Sequence, residues 1–394
     1  MTPLFIINCC KSFGCKNLGL ANSPDYSWPD YRLGYAALHC RACGSYPPLF
    51  NDEHVHRWLS AYLTDFAADN GLFCPNCYHR DTIRYGHNPQ GSQRVQCRSC
   101  KKVWTPRQPP IAAIPSPEHI ATVPLIVPFQ GASETQKLYL LLSVDTFRGN
   151  VLHISSNFTP HAAGASLLYH WRGVDEATVV HDDIVQRVSQ RESQFLHRSQ
   201  FDEIQYGSAR LKRNASGAIL RPVIAAHGHF RVLSHLWPGV KTHVVAHECF
   251  LRGAVITAWA EQFRAHQASL WFIDESMRDS ECIMPWQLLG KTNQGWWQNQ
   301  WQIWQQGSTR KMVCLLTEGQ AEQGAAITLA ASHTFIAWLQ RQTEFQQSGR
   351  YSAHSVFQTI KALTVRYNTL ISRNQWPDGN MPSGNTTTAV APVG

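Results

Sequence analysis

The sequence predicts an α/β protein in which two small cysteine modules precede a mixed-sheet domain. Three observations carry that expectation. Cysteines group in the first hundred residues as Cys10 and Cys15 with Cys40 and Cys43, then as Cys74 and Cys77 with Cys97 and Cys100. Prolines then recur from Pro106 to Pro128 and mark a boundary. Beyond it, short strand-like apolar runs alternate with amphipathic helical ones. At 394 residues the chain exceeds one typical core, so more than one domain is expected.

The first module, residues 1–50, has Cys10 and Cys15 with four residues between them and then Cys40-Arg41-Ala42-Cys43. A four-residue gap is within what zinc sites use, and the group reads as a four-thiolate ribbon. Cys9 competes with Cys10, and His39 with a thiolate. Tyr26, Trp28, Tyr31 and Tyr35 fall between the half-sites, where they are expected to pack the module, since so small a unit has few other ways to build a core. Residues 51–70 form a connecting helix, with Val55, Trp58, Leu59, Tyr62, Leu63 and Phe66 at three- and four-residue spacing; it is expected to join and space the modules.

The second module, residues 71–108, is the more specific. Cys74-Pro75-Asn76-Cys77 and Cys97-Arg98-Ser99-Cys100 stand nineteen residues apart. Each knuckle sets two sulfurs on one turn, and two turns close a tetrahedron around Zn²⁺. The chain's formal charge is +8, and this window carries Arg80, Arg84, Arg94, Arg98, Lys101, Lys102 and Arg107 against Asp81 alone. Charge so concentrated on a metal module suits a polyanion. Arg84, Arg94, Arg98, Lys101 and Lys102 are the expected nucleic-acid contacts.

Residues 109–133 read as an extended proline-rich linker and 134–200 as a β-hairpin with a helical segment. The hairpin strands are Lys137–Val144 and Val151–Ser155, joined through Asp145-Thr146-Phe147-Arg148-Gly149-Asn150. Asp182, Asp183, Arg187, Arg191 and Glu192 read as a solvated helix face. Strands are then expected at Phe201–Tyr206, Leu220–Ala226 and Phe230–Leu236, a helix from Phe250 to Phe263, and a strand Ser269–Ile273 ending in Asp274. That order, with one acid on the first strand and one at the end of the fourth, is the layout of an RNase H-like core over residues 201–376. Neighbouring strands lie about 4.8 Å apart, so Asp202 and Asp274 on adjacent strands would share Mg²⁺ for phosphoryl transfer. The Trp297, Trp301 and Trp304 insert reads as one buried helical face, Lys311–Leu316 as a fifth strand, and Thr334–Phe345 and Val356–Ile371 as closing helices. Residues 377–394 read as a disordered tail.

The ribbon residues Cys74-Pro-x-Cys77, Tyr85-Gly86, Gly91-x-Gln93-Arg94-x-x-Cys97-x-x-Cys100-x-Lys102-x-Trp104 resemble those of bacterial insertion-element transposases, in which a cysteine ribbon precedes a DDE domain of RNase H type. Asp202-Glu203-Ile204 is similar to that family's first catalytic strand, Asp274 to its second acid, and Ser355–Ile371 to its closing helix. The resemblance implies DNA binding and recombination chemistry, in an active or a degenerate, domesticated form. For the third acid, Glu322 comes early, Glu344 late, and His333 is nearer the register; no helix-turn-helix is evident between the ribbon and the strands. Asp145 is the alternative first acid.

The expected cofactors are two structural Zn²⁺ ions and a catalytic Mg²⁺. DNA is the expected partner and a homo-oligomer a further one. A catalytically inactive DNA-binding or scaffold protein is the competing reading. No apolar run approaches the roughly 20 residues of a membrane span, and Leu4–Ile7 is too short for a signal core, so a soluble cytoplasmic protein with reduced thiols is expected.

Overall fold

The computed structural model describes residues 6–32, 36–47, 49–50, 52–71, 74–77, 79, 81–107, 115–130, 138–159, 183–193, 218–220, 222–276, 284–295, 298–318 and 321–373. The first module pairs β1 (Tyr26–Asp30) antiparallel with β2 (Ala37–Cys40). Then comes α1 (Asp52–Asn70). The second module is a three-stranded antiparallel sheet of β3 (Thr82–His87), β4 (Gln93–Cys97) and β5 (Val103–Trp104).

A meander follows: β6 (His119–Val127), β7 (Leu138–Asp145) and β8 (Val151–Ser156). A short antiparallel pair, β9 (Phe158–Thr159) with β10 (Ala218–Ile219), brackets the excursion that contains helix α2 (184–193). The remainder runs α3 (Pro222–Leu236), β11 (Thr242–Ala246), α4 (Cys249–Ala258), α5 (Ala260–Arg264), β12 (Ser269–Glu275), β13 (Gln287–Gln294), β14 (Asn299–Gln306), β15 (Thr309–Leu315), α6 (Ala330–Gln340), α7 (Thr343–Gln346) and α8 (Ala353–Ser372).

Eight strands form one mixed sheet in the order β13-β14-β15-β12-β11-β6-β7-β8. β6, β11 and β12 are parallel and the other pairings antiparallel. All eight residues of β7 are buried, as a strand covered on both faces requires. On one face Ile120, Leu141, Val245 and Phe272 meet α1, α2, α3, α4 and α5 through Leu59, Val188, Phe230, Leu251 and Phe263. On the other, Leu140, Val244, Trp271 and Val313 meet α6 and α8 through Phe335, Leu339, Ile360 and Tyr367. The result is an α/β/α sandwich.

Several expectations change. Residues 119–127, read as linker, are an interior strand of the sheet, between β11 and β7. Pro124 is tolerated there because the ladder to β11 ends at Thr122 opposite Val245, so Pro124 pairs only with β7, opposite Leu141. The hairpin lies in the same sheet as β11 and β12, so the sheet joins strands from both sides of residue 200. The two strands expected across 220–236 are one helix, α3, with twelve buried residues. A helix buried nearly all round shows no polar stripe and so imitates strands. The tryptophan insert is a β-hairpin instead of a helix: Trp301 packs on the first face and Trp304 against the second, as strand alternation dictates. Trp297, the expected strand at 201–206 and the tail at 377–394 lie outside the described residues.

Candidate metal centres and nucleic-acid surface

Both cysteine groups assemble as expected. The ligand sulfurs of Cys10, Cys15, Cys40 and Cys43 lie within 4.8 Å of one another, as do those of Cys74, Cys77, Cys97 and Cys100. Within the cages, Cys10 and Cys43 lie 3.6 Å apart, Cys15 and Cys40 3.8 Å, Cys74 and Cys100 3.4 Å, and Cys77 and Cys97 3.6 Å. A tetrahedron with arms of about 2.3 Å has edges of about 3.8 Å, so both cages fit Zn²⁺ and neither pair is at disulfide distance. Two Cys₄ sites therefore suit two structural zinc ions. Cys10 wins over Cys9, whose buried thiol faces the Ile7 carbonyl. His39 stays out of the cage, stacked on Tyr46 and near Asp30.

Local backbone forms each knuckle. The N–H of Asn76 donates to the Cys74 sulfur and that of Cys100 to the Cys97 sulfur. In the first module Asn17 donates to Cys15 through its backbone and to Cys40 through its side chain. Burial pushes the Cys74 thiol up to about 12, whereas the Lys102 backbone N–H and the Asn76 side chain bring Cys100 down to about 6. Such a mixture of thiol and thiolate becomes four thiolates only when a cation replaces the protons.

The first module is part of the core. Ile7, Leu18 and Phe50 are buried in the cluster that contains α3, α4 and α5. Phe13 packs edge-on against Phe263 at 5.5 Å, and Arg252 and Arg264 donate to the carbonyls of Lys11 and Leu18. Its own cations are held locally, Lys16 by Asp25 and Arg32 by Asp30. Tyr26 packs the module and accepts from the Cys10 N–H, but Trp28 and Tyr31 are exposed, contrary to expectation; Tyr35 lies outside the described residues. Nor is α1 merely a spacer. Trp58 and Tyr62 lie on Gly228 of α3, where a Cβ would come within 2.7 Å of the Trp58 ring.

The second module hangs from the end of α1. Pro106 closes on Gly71, and Arg107 pairs with Asp69 at 3.4 Å. Arg84, Arg98, Lys101 and Lys102 are exposed, and Arg94 lies 5.7 Å over the ring of Tyr85, itself 47% exposed. Arg98 is partly engaged by Asp81 at 3.7 Å.

Of the two expected catalytic acids, Asp274 lies among the described residues. Asp202 lies outside the described residues. Asp274 is inside β12, opposite Met312, and is buried. Arg187 holds it at 2.5 Å and Arg191 at 3.7 Å, both from α2. Of the face read as solvated, Arg187 and Arg191 are thus docked and Glu192 is buried against His247 at 3.1 Å, while Asp183 is exposed and Asp182 lies outside the described residues. Gly295 makes room for Glu192, since a Cβ there would lie 2.1 Å from the Glu192 carboxylate. Asp145, the alternative, binds the N–H groups of Phe147 and Arg148 and the Arg148 guanidinium. It aligns through Ile120 and His243 with Leu270, three strands across and four residues along from Asp274, about 20 Å away. Of the third-acid candidates, Glu344 is exposed on α7 and His333 half-buried on α6.

No described helix is long and apolar enough to cross a membrane. No known family profile matches the chain, and no solved structure matches it. Protein ZAR1-like 1.L of Xenopus laevis is similar over 83 residues at 26% identity, covering 21% of this chain and 24% of that protein. The match spans about a quarter of the relative's length.

Proposed function

We propose that this chain is a zinc-dependent, DNA-binding protein of transposase ancestry, built on an RNase H-like core that no longer performs Mg²⁺-dependent strand transfer. The observation that carries the reading is the second ribbon, which projects from α1 with Arg84, Lys101 and Lys102 exposed around a Cys₄ cage. A β6-β7-β8 meander, with β11 and β12 added parallel to β6, supports the RNase H-like assignment. In that layout the first acid sits on β6 and the second at the end of β11. β6 reads His-Ile-Ala-Thr-Val-Pro-Leu-Ile-Val and carries no acid, whereas His247 and Glu248 follow β11, so a carboxylate stands near the second position alone.

The catalytic form of this reading would need Asp202, Asp274 and a third carboxylate around Mg²⁺. Arg187 and Arg191 already neutralise Asp274, which favours the inactive form. The test is titration of labelled duplex DNA at rising salt. Each phosphate contact contributes about 0.9 to the slope of log K against log salt, so Arg94→Ala/Lys101→Ala/Lys102→Ala should flatten it by about 2.7. A wild-type chain with a flat salt response would sink the reading, and Mg²⁺-dependent cleavage abolished by Asp274→Asn would restore the enzyme.

A further inference from the structure

Positive charge has a second concentration that the ribbon does not explain. From residue 330 to 373 the chain carries Arg341, Arg350, Lys361, Arg366 and Arg373 against Glu344 alone. Arg341, Arg350, Arg366 and Arg373 are exposed. A cleft of about 580 Å³ opens between α7 and α8, lined by Arg341, Glu344, Gln347, Tyr351, Thr359 and Arg366. Its volume is that of a site for a nucleotide-sized group. Tyr351 is 47% exposed, although its backbone is fixed by a bond from the Gln130 N–H to its carbonyl. An aromatic ring left half in water on an anchored segment, lining one cleft with two arginines, has the composition of a stacking platform with phosphate contacts.

We infer that this cleft is a second nucleic-acid contact, holding a phosphodiester on Arg341 and Arg366 and stacking a base on Tyr351. The charge does not stop at the cleft. Thr359 and Arg366 follow at seven-residue spacing on one face of α8, and Arg373 caps the helix end one further such step along, about 10 Å beyond Arg366. A line of cations fits a running strand better than a free phosphate. A base can reach a tyrosine face only when it is unpaired, so the strand bound here is single.

The inference rests on the nucleic-acid reading of the chain, and the experiment separates the two. The full zinc-loaded protein is titrated with a labelled single-stranded oligonucleotide and its duplex between about 50 and 200 mM salt. Arg341→Ala/Arg366→Ala should flatten the single-strand salt slope by about 1.4, at roughly 0.7 per phosphate. Tyr351→Ala should weaken single-strand binding by roughly 5- to 100-fold, with Tyr351→Phe close to wild type, because stacking needs the ring and not the hydroxyl. Unchanged slope and affinity in both cleft variants, alongside a loss in Arg94→Ala/Lys102→Ala, would overturn the cleft and leave the ribbon reading standing. A wild-type chain that binds neither oligonucleotide would overturn both.

Discussion

The two ribbons share a metal cage and differ in what surrounds it. In the first, Ile7, Leu18 and Phe50 are buried in the main core, and the cations Lys16 and Arg32 are paired within the module. In the second, Arg107 and Pro106 meet the end of α1 at Asp69 and Gly71, and Lys101, Lys102 and Arg84 face solvent. Identical ligand chemistry therefore serves two ends: one cage fastens a layer of the core, and the other stiffens a charged projection. A cysteine motif specifies the cage, and the residues around it specify the use.

The largest expected difference follows from breaking each cage in turn. Cys40→Ser should release the first module and expose three apolar side chains worth together about 5–9 kcal/mol, comparable to the whole stability of a domain. Insoluble or unfolded protein is expected. Cys97→Ser should leave a folded chain holding one zinc instead of two, with duplex binding weakened by the loss of the ribbon's contacts. Metal analysis and thermal melts of both variants check the contrast; equal damage from the two would erase it.

A matched pair of glycines tests the same difference at smaller scale. Gly19 and Gly86 both have φ of +68°. A Cβ on Gly19 would lie 2.1 Å from the Ala260 Cβ, whereas one on Gly86 would meet nothing within 4 Å. Gly86→Ala should cost about 1 kcal/mol, the backbone penalty alone. Gly19→Ala adds a steric clash across the docked interface and should cost roughly 2–4 kcal/mol. Chemical denaturation reads both values.

Acid should loosen the docked side first. Burial lowers His153, which bonds the Tyr62 hydroxyl of α1, to about 3, and does the same to His243 beside Trp259. A depressed histidine binds its proton in the unfolded chain before the folded one. Stability is thus full above pH ~6.5 and falls as pH drops toward 3, at about 1.4 kcal/mol per unit for each ring. His153→Gln should remove one such share of the slope in denaturation midpoints compared at neutral and mildly acid pH.

Both cages were legible in the sequence because a knuckle is local: its spacing alone sets the geometry. The hairpin of β7 and β8 was legible for the same reason, through the turn residues after Asp145. What escaped depends on contacts far apart in sequence. The proline of β6 reads as linker until the end of the β11 ladder is known, and α3 reads as strands because burial on nearly every side removes its stripe. Arg187 and Arg191 look solvated until Asp274, more than eighty residues away, arrives beside them. The pairing of Asp202 with Asp274 depends on element order, and that order shifts with residues 119–127 as the first strand of the sheet domain.

The smallest effect concerns one residue that ought to differ between the ribbons. After the fourth cysteine the backbone turns left-handed in both: Gly44 has φ of +71° and Lys101 has φ of +62°. A lysine in that conformation costs about 1 kcal/mol that glycine avoids. The docked ribbon takes the unstrained residue, and the projecting one keeps a cation despite the strain. If the cation is there to meet a phosphate, Lys101→Gly should raise the stability of the zinc-loaded second ribbon by about 1 kcal/mol while lowering the DNA salt slope by about 0.9. Lys102→Ala should lower the slope equally and leave stability where it was. A Lys101→Gly chain that gains stability and loses no slope would mean that the strained lysine faces no phosphate, and that the charge on this face is carried to the nucleic acid by Arg84, Arg94 and Lys102.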